Sequence, residues 1–130
     1  DRIEESADIA IKHRKRIGIS EAWLYKCRTR ELGRGFYAPE IVSRDVFSFW
    51  EPLDKKFVRI IAKLARINQY EFFSLFWSKY FYAYLDYGKV KEVDPAKIAN
   101  ISSVQVAAGL IYNKYTGLAE SLTQLIKEGQ

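Results

Sequence analysis

Two dense clusters of basic side chains lie between Lys12 and Gly35, and they are the residues of this sequence best suited to a chemical task. The segment holds eight lysines and arginines against two acids, Glu21 and Glu31. Such a local excess of positive charge favours an anionic partner, either nucleic acid or acidic lipid. The candidate phosphate-binding side chains are Lys12, His13, Arg14, Lys15, Arg16, Lys26, Arg28, Arg30 and Arg34.

The spacing of these cations indicates how they could meet a phosphate backbone. On a helix, Lys12 and Arg16 lie four residues apart, so they form a charged ridge, and Lys26, Arg30 and Arg34 form a second one. Ridges of this kind neutralise phosphates without reading bases. Solvated faces are the alternative interpretation, and an acidic membrane or protein is another partner class. The density of cations beside aromatic residues favours nucleic acid.

Catalytic and metal-binding groups are sparse. The chain has one His and one Cys, no convincing pair of carboxylates, and no nucleotide-binding loop or nucleophile motif. Neighbouring cations disfavour the charged form of His13, so we expect it to contact phosphate or solvent. Cys27 is expected to pack as a small apolar residue, although Lys26 and Arg28 could stabilise a thiolate. We predict no enzyme activity, no cofactor and no metal.

Composition sets the class of molecule. A chain of 130 residues supports one ordinary domain, and an apolar share of 48% with 28% charged residues argues against disorder throughout. The single Cys excludes an intramolecular disulfide. The net charge is +5, yet residues 45–130 carry eleven basic against nine acidic side chains. The basic excess therefore belongs to the N-terminal region. The most apolar stretch, Tyr70–Leu85, is too short and polar for a membrane span, so we expect a soluble protein.

Apolar residues recur at helical spacing along the chain, which predicts an all-α protein. A first helix is expected over 1–17, ended by Gly18, and a second from Ser20 to about Gly33. Together they predict a basic helix–turn–helix arm over 1–38 that wraps DNA. The Gly/Pro cluster at 33–39 marks its boundary with an aromatic-rich, four-helix-like bundle over 39–130.

Five helical segments are expected in this bundle. A short helix fits between Pro39 and Pro52, and Leu53–Ile67 has the pattern of an amphipathic helix. Its apolar stripe includes Leu53 and Ile60, and its wet stripe carries Lys55, Arg59, Lys63 and Arg66. A long helix is expected from Asn68 through Tyr87. A short one starts at Asp94-Pro95, and Ser102 with Gln105 fits a capping box that opens a final helix to about Lys127.

The stretch Tyr70–Tyr87 has ten aromatic residues in eighteen. As a helix it would present a broad aromatic stripe that includes Phe76, Trp77, Tyr80 and Tyr84. A central helix in one bundle explains this pattern, and subunit packing is the competing explanation, since aromatic side chains dominate interfaces. Base stacking is a third, weaker interpretation because the cations lie elsewhere.

A basic helical arm, a Gly/Pro joint and an aromatic-rich bundle together resemble the nucleocapsid coat proteins of filamentous archaeal viruses, the lipothrixviruses and their rudivirus relatives. The resemblance spans the whole chain and rests on architecture. It implies that the arm wraps double-stranded DNA and that the bundles pack into the wall of a helical filament. It further implies a heterodimer with a paralogous coat protein, a location in the virion and, for lipothrixviruses, a lipid envelope outside the filament.

The resulting prediction is a structural protein that packages double-stranded DNA by sequence-independent phosphate contacts. Two other interpretations stay open. A regulatory DNA-binding module would also use a helix–turn–helix, but would read bases through a few polar side chains. A small helical subunit of an RNA-guided effector complex shares the basic helical bundle. Binding to DNA compared with RNA distinguishes these classes.

Overall fold

The computed structural model describes residues 2–33 and 38–129, and this part of the chain is mainly helical. Its α-helices are α1 (Arg2–Lys12), α2 (Pro39–Val42), α3 (Glu51–Ile67), α4 (Tyr87–Val90), α5 (Pro95–Ile111) and α6 (Gly117–Glu128). Its strands are β1 (Ile19–Ala22) and β2 (Phe73–Leu75), and 3-10 turns occur at Thr29–Glu31, Ser48–Trp50 and Ser78–Phe81. The all-α prediction is confirmed at the level of a mostly helical fold.

Helix α3 is the predicted element that the structure reproduces best. It was expected over Leu53–Ile67 and begins two residues earlier, at Glu51, with Pro52 in the first turn where no amide donor is needed. Its inner face packs against α6. The residues on that face are small or β-branched: Val58, Ile61, Ala62 and Ala65 are buried. Leu53 and Ile60, both expected on the buried stripe, are instead 41% and 57% exposed.

The predicted final helix from Ser102 to Lys127 is wrong. Helix α5 starts earlier, where the Asp94 carboxylate accepts a hydrogen bond from the Ala96 amide at 2.9 Å. Ser102 is therefore buried within α5 rather than at a helix start. The chain leaves the helical path after Ile111, with Asn113 at φ 51°. The Thr116 hydroxyl donates to the Tyr80 carbonyl at 2.6 Å and holds the chain before α6 begins.

The predicted long helix over 68–87 is also wrong. The chain turns at Gln69, which has φ 55°, and then forms β2, the turn Ser78–Phe81 and α4. Aromatic side chains favour extended backbone, and β2 finds a pairing partner in β1. The broken path sends the aromatic side chains in several directions: Tyr80 is buried, whereas Phe72 is 56% exposed.

The predicted helix–turn–helix arm is not formed by the described residues. Helix α1 ends at Lys12 rather than at 17, because Arg14 adopts φ 51° and the Lys15 amide donates back to the Ala10 carbonyl at 2.8 Å. The second helix is replaced by β1, which runs parallel to β2, with Ile19 opposite Phe73. The expected division at residue 38 stays a prediction, but these contacts cross it.

One apolar cluster forms the core where α3, α5, α6 and the segments around Phe47 and Leu85 meet. Two hydrogen bonds, from the Leu85 amide to the Val46 carbonyl at 2.7 Å and from the Ser48 amide to the Leu85 carbonyl at 2.8 Å, join these segments. The buried members are Val46, Phe47, Val58, Tyr80, Leu85, Val90, Ile98 and Leu118. Residues before and after the aromatic stretch therefore share one core.

Candidate nucleic-acid interface

The first basic run, residues 12–16, lies at the C-terminal end of α1 and in the turn that follows. All five side chains are exposed. Lys12 is the last residue of the helix, where a positive charge is favourable to the helix dipole. Arg14 adopts a left-handed backbone conformation, with φ 51°, so the run continues past the end of α1 as a turn. The run is thus a compact, solvent-facing group of cations.

One of these five residues has a carboxylate partner. The Arg16 guanidinium donates to Glu71 on the surface, and this hydrogen bond raises the pKa of Arg16 and lowers the pKa of Glu71. The Arg16 side chain is still 85% exposed. An exposed ion pair of this kind is weak and easily exchanged for another anion. Arg16 therefore stays accessible to a phosphate.

The second basic run is organised differently, and Lys26 is not available for nucleic acid. Its side chain is 4% exposed, and its ammonium lies 2.6 Å from Asp54 Oδ1 and 3.9 Å from Asp45 Oδ1. The Lys26 amide also donates to Asp45 Oδ1 at 3.2 Å. The prediction that Lys26 contacts DNA is wrong, because two carboxylates from distant parts of the sequence hold it inside the molecule.

The surroundings of Lys26 form a buried polar cluster. Burial raises the pKa of Asp45 to about 6, although the nearby Lys26 charge acts in the opposite direction. The Tyr84 hydroxyl donates to Asp54 Oδ2 at 2.9 Å, and burial together with the Asp54 charge raises the pKa of Tyr84. Asp45 Oδ2 and the Tyr80 hydroxyl are buried without a hydrogen-bond partner in the described part of the chain. This cluster joins the segment around Lys26 to α3 and to the aromatic stretch.

The remaining members of the second run have mixed positions. Arg28 and Arg30 are exposed and their phosphate contacts stay a prediction, while Arg34 lies outside the described residues. Next to Arg30 in the chain, Glu31 accepts hydrogen bonds from both terminal nitrogens of Arg44, at 2.6 and 2.9 Å. These bonds, with one from the Arg28 amide, lower the pKa of Glu31 to about 2. The ionised Glu31, which is paired with Arg44, therefore lies beside Arg28.

A third group of cations lies on the outer face of α3. Lys56, Arg59, Lys63 and Arg66 follow one another at intervals of three and four, and all are exposed. The acids of this helix are not on that face: Asp54 is buried, and Glu51 pairs with Lys55 at 3.2 Å. This spacing is visible in the sequence, but from the sequence it predicts only a solvent-exposed face of the helix. We call this group the α3 ridge.

The α3 ridge ends near the first basic run. Arg66 and Glu71 line the same surface cleft, about 280 Å³ in volume, and Glu71 is the residue that pairs with Arg16. The Tyr70 hydroxyl donates to the Ile3 carbonyl at 2.8 Å, which ties α1 to the same end of α3. Arg66 and the Glu71 partner of Arg16 therefore border the same cleft.

His13 and Cys27 have no specialised surroundings. His13 is exposed within the first run, and Cys27 is a half-buried free thiol. Within residues 2–33 and 38–129, no three His, Cys, Asp or Glu side chains are grouped closely enough to hold a metal ion. In the same part of the chain, no helix is both long enough and apolar enough to cross a membrane.

A groove of about 610 Å³ lies beside α6, between Phe81, Tyr82 and Tyr115. The charged side chains on its wall are Glu120 and Lys127, which are both exposed. This wall offers aromatic and polar contacts but no pair of acid and base in a desolvated setting. The positively charged surface is the stronger candidate for a functional site.

Comparisons with protein-family models, with curated protein sequences and with solved structures found no match to this chain.

Proposed function

We propose that this protein is a non-catalytic structural protein that binds double-stranded DNA through its phosphates, without regard to base sequence. The binding surface consists of residues 12–16 and the α3 ridge. The observation that carries the proposal is the outer face of α3, where four exposed cations are accompanied by no exposed carboxylate. A surface with one sign of charge attracts a polyanion and gives little discrimination among bases.

The geometry of the ridge suits a phosphate backbone. Ten residues separate Lys56 from Arg66, so the ridge is about 15 Å long at the usual helical rise. Successive cations along it are spaced by one turn or slightly less, and a DNA duplex presents about one charge per 1.7 Å of its axis. Several phosphates can therefore meet the ridge at once, with the first basic run extending the contact beyond Arg66.

The larger context we propose is a nucleocapsid, in which copies of the chain, paired with a paralogous coat protein, package the duplex in a helical filament inside an archaeal virion. This step is supported by the resemblance to coat proteins of filamentous archaeal viruses in composition and in the order of segments. The helix–turn–helix arm is not part of this support. The described residues also offer no recognition helix of the kind a regulator uses, which makes a base-reading regulator the weaker candidate.

The test is the affinity of a fluorescently labelled duplex of mixed sequence, measured by anisotropy at moderate salt. Reversing three ridge charges, in Lys56→Glu/Arg59→Glu/Lys63→Glu, should weaken binding by about 100-fold or more and lower the salt slope by about 2.7, since each phosphate contact contributes about 0.9. Circular dichroism confirms that the variant is folded.

The matched control is Lys89→Glu/Lys91→Glu/Lys97→Glu, which changes the net charge equally at three exposed lysines away from the ridge. It should weaken binding much less. Equal losses in both variants would show that only net charge matters and would refute the ridge as a site. Tighter binding to an RNA duplex than to DNA would instead favour a subunit of an RNA-guided complex.

A further inference from the structure

Helix α5 has an unusual surface for a helix at the outside of a protein. Residues 98–113 contain no Asp, Glu, Lys or Arg, although the whole chain is 28% charged. Only Ile98, Ser102 and Gly109 of this helix are fully buried. A helix that is apolar on every side is normally covered on every side. The larger part of α5 is nevertheless open to solvent.

The contacts of the buried side show which face of α5 is turned to the body. Gly109 lies so close to the aromatic stretch that an added Cβ would be 2.7 Å from the Tyr82 carbonyl oxygen. Ile98 belongs to the core cluster. On the opposite side, Val104 and Ile111 are 70% and 73% exposed. We call this side the α5 outer face, and its members are Ala99, Asn100, Ser103, Val104, Ala107, Leu110 and Ile111.

We propose that the α5 outer face is a self-association surface, on which α5 of a second copy of this chain packs in a two-fold arrangement. A two-fold interface requires a patch that is complementary to itself. This patch meets the requirement because it has no charge to oppose its own copy, whereas the net charge of +5 makes most other surfaces repel each other. An acidic or basic partner would find no charge on it to pair with.

The residue types also fit a helix–helix contact. Ala99, Ser103 and Ala107 are spaced by four, so they form a strip of small side chains along the outer face. Small residues allow two helix axes to approach closely, and Val104 and Ile111 beside the strip can then fill the space at its edge. The nearest cations, Lys97 and Lys114, lie at or beyond the two ends of this uncharged stretch.

The area available predicts a dimer of modest strength. Val104, Leu110 and Ile111 are 70%, 49% and 73% exposed, so the large apolar side chains of the outer face form one small patch. A standard interface buries roughly 800 Å² on each partner, so the small residues of the face must contribute the remainder. We therefore expect association that depends on protein concentration.

The experiment uses the full chain without DNA, under reducing conditions, in sedimentation velocity over a wide concentration series. The parent should pass from monomer to dimer as concentration rises. Ala107→Glu places a carboxylate in the middle of the outer face at an exposed position, so it should shift the dissociation constant upward by at least tenfold. Thr123→Glu makes the same change in charge on the exposed side of α6 and should leave the dissociation constant unchanged.

A second measurement tests the geometry. In a Cys27→Ser background, Ser103→Cys lies near the centre of the outer face and should form an intermolecular disulfide between two copies on mild oxidation. A parent that stays monomeric throughout the series would overturn the proposal, and so would an Ala107→Glu variant that dimerises as the parent does. Monomeric protein that floats with vesicles through α5 would point to lipid and would also overturn it. Because no DNA is present, these outcomes are independent of the phosphate-binding proposal.

Discussion

The two basic runs of the N-terminal region look alike in the sequence and are treated differently by the fold. Residues 12–16 stand in solvent at the end of α1, with one weak surface partner. In the second run, Lys26 is enclosed by Asp45 and Asp54, and Glu31, which is paired with Arg44, lies next to the exposed arginines. A cluster of cations is thus accessible to an anionic partner only where the fold leaves the cations in solvent.

The difference has an energetic reason. Burying a lysine among apolar groups costs several kcal/mol unless opposite charges and hydrogen bonds accompany it. Asp45 and Asp54 are nineteen and twenty-eight residues away from Lys26 in the chain, so no local sequence pattern predicts that they are its partners. The first run meets only Glu71 and keeps its hydration.

Lys26→Ala should have the largest effect, because it leaves Asp54 and Asp45 buried without their cation. Breaking a buried ion pair from one side typically costs about 3–5 kcal/mol of unfolding free energy. Chemical denaturation followed by circular dichroism measures this loss. Lys15→Ala, at a fully solvated position of the first run, is the control and should stay within about 0.5 kcal/mol of the parent. A Lys26→Ala protein as stable as the control would contradict the buried position of Lys26.

Asp45 predicts a pH dependence with a definite sign. Its pKa in the folded state, about 6, lies above the usual value of 3.8, so the fold favours the protonated form. The resulting stabilisation is complete below the unfolded pKa and is lost as pH rises through 6. The free energy of unfolding should therefore increase between pH 7 and pH 4.5 by at most about 3 kcal/mol. Asp45→Asn should remove this increase, and an unchanged pH profile in that variant would refute the assignment.

The titration of Glu31 changes the free energy of unfolding in the opposite direction, at lower pH. Its folded pKa of about 2 lies below the usual 4.5, because Arg44 and the Arg28 amide stabilise the charged form. The stabilisation is present above pH 4.5 and is lost as pH falls from there through 2. Stability of the parent should therefore pass through a maximum near pH 4.5. Arg44→Ala should weaken the fall on the acidic side.

The smallest effect is expected for the exposed arginines of the second run. Arg28→Gln/Arg30→Gln should weaken duplex binding less than Arg14→Gln/Lys15→Gln, since the ionised Glu31 already offsets part of the positive charge around Arg28. Both pairs remove two charges, so anisotropy titrations at one salt concentration compare them directly. A larger loss of affinity for the second-run pair would mean that this run contributes more to DNA binding than the first run does.

The sequence predicted those elements whose signals are local. Helix α3 combines a proline start with a clear amphipathic period, so its position agrees with the prediction. Asp94-Pro95 marks the start of α5, although the helix expected there is a short one. The aromatic stretch 70–87 had helical spacing on almost every side, and such a pattern cannot distinguish a helix from a chain that turns to bury rings in several directions. The pairing of β1 with β2, across fifty residues, has no local signal.

The same limit applies to the candidate site. Composition alone was enough to predict the first run as a group of basic residues. The α3 ridge could have been predicted by applying the same spacing test to Lys56 and Arg66. The burial of Lys26 could not have been predicted, because its carboxylate partners come from separate segments of the fold. The division between phosphate-binding and structural cations is therefore a tertiary property of this chain.

The salt dependence of duplex binding tests the central claim most directly. Affinity is measured for the parent and for Arg14→Gln/Lys15→Gln over a series of monovalent salt concentrations, on two duplexes of unrelated sequence. We expect the parent's log affinity to fall steeply with log salt concentration, with the same slope for both duplexes. In the variant this slope should be shallower by about 1.8, since two phosphate contacts are lost. An equal slope in parent and variant, or strong preference for one duplex, would contradict a sequence-independent phosphate contact by residues 12–16.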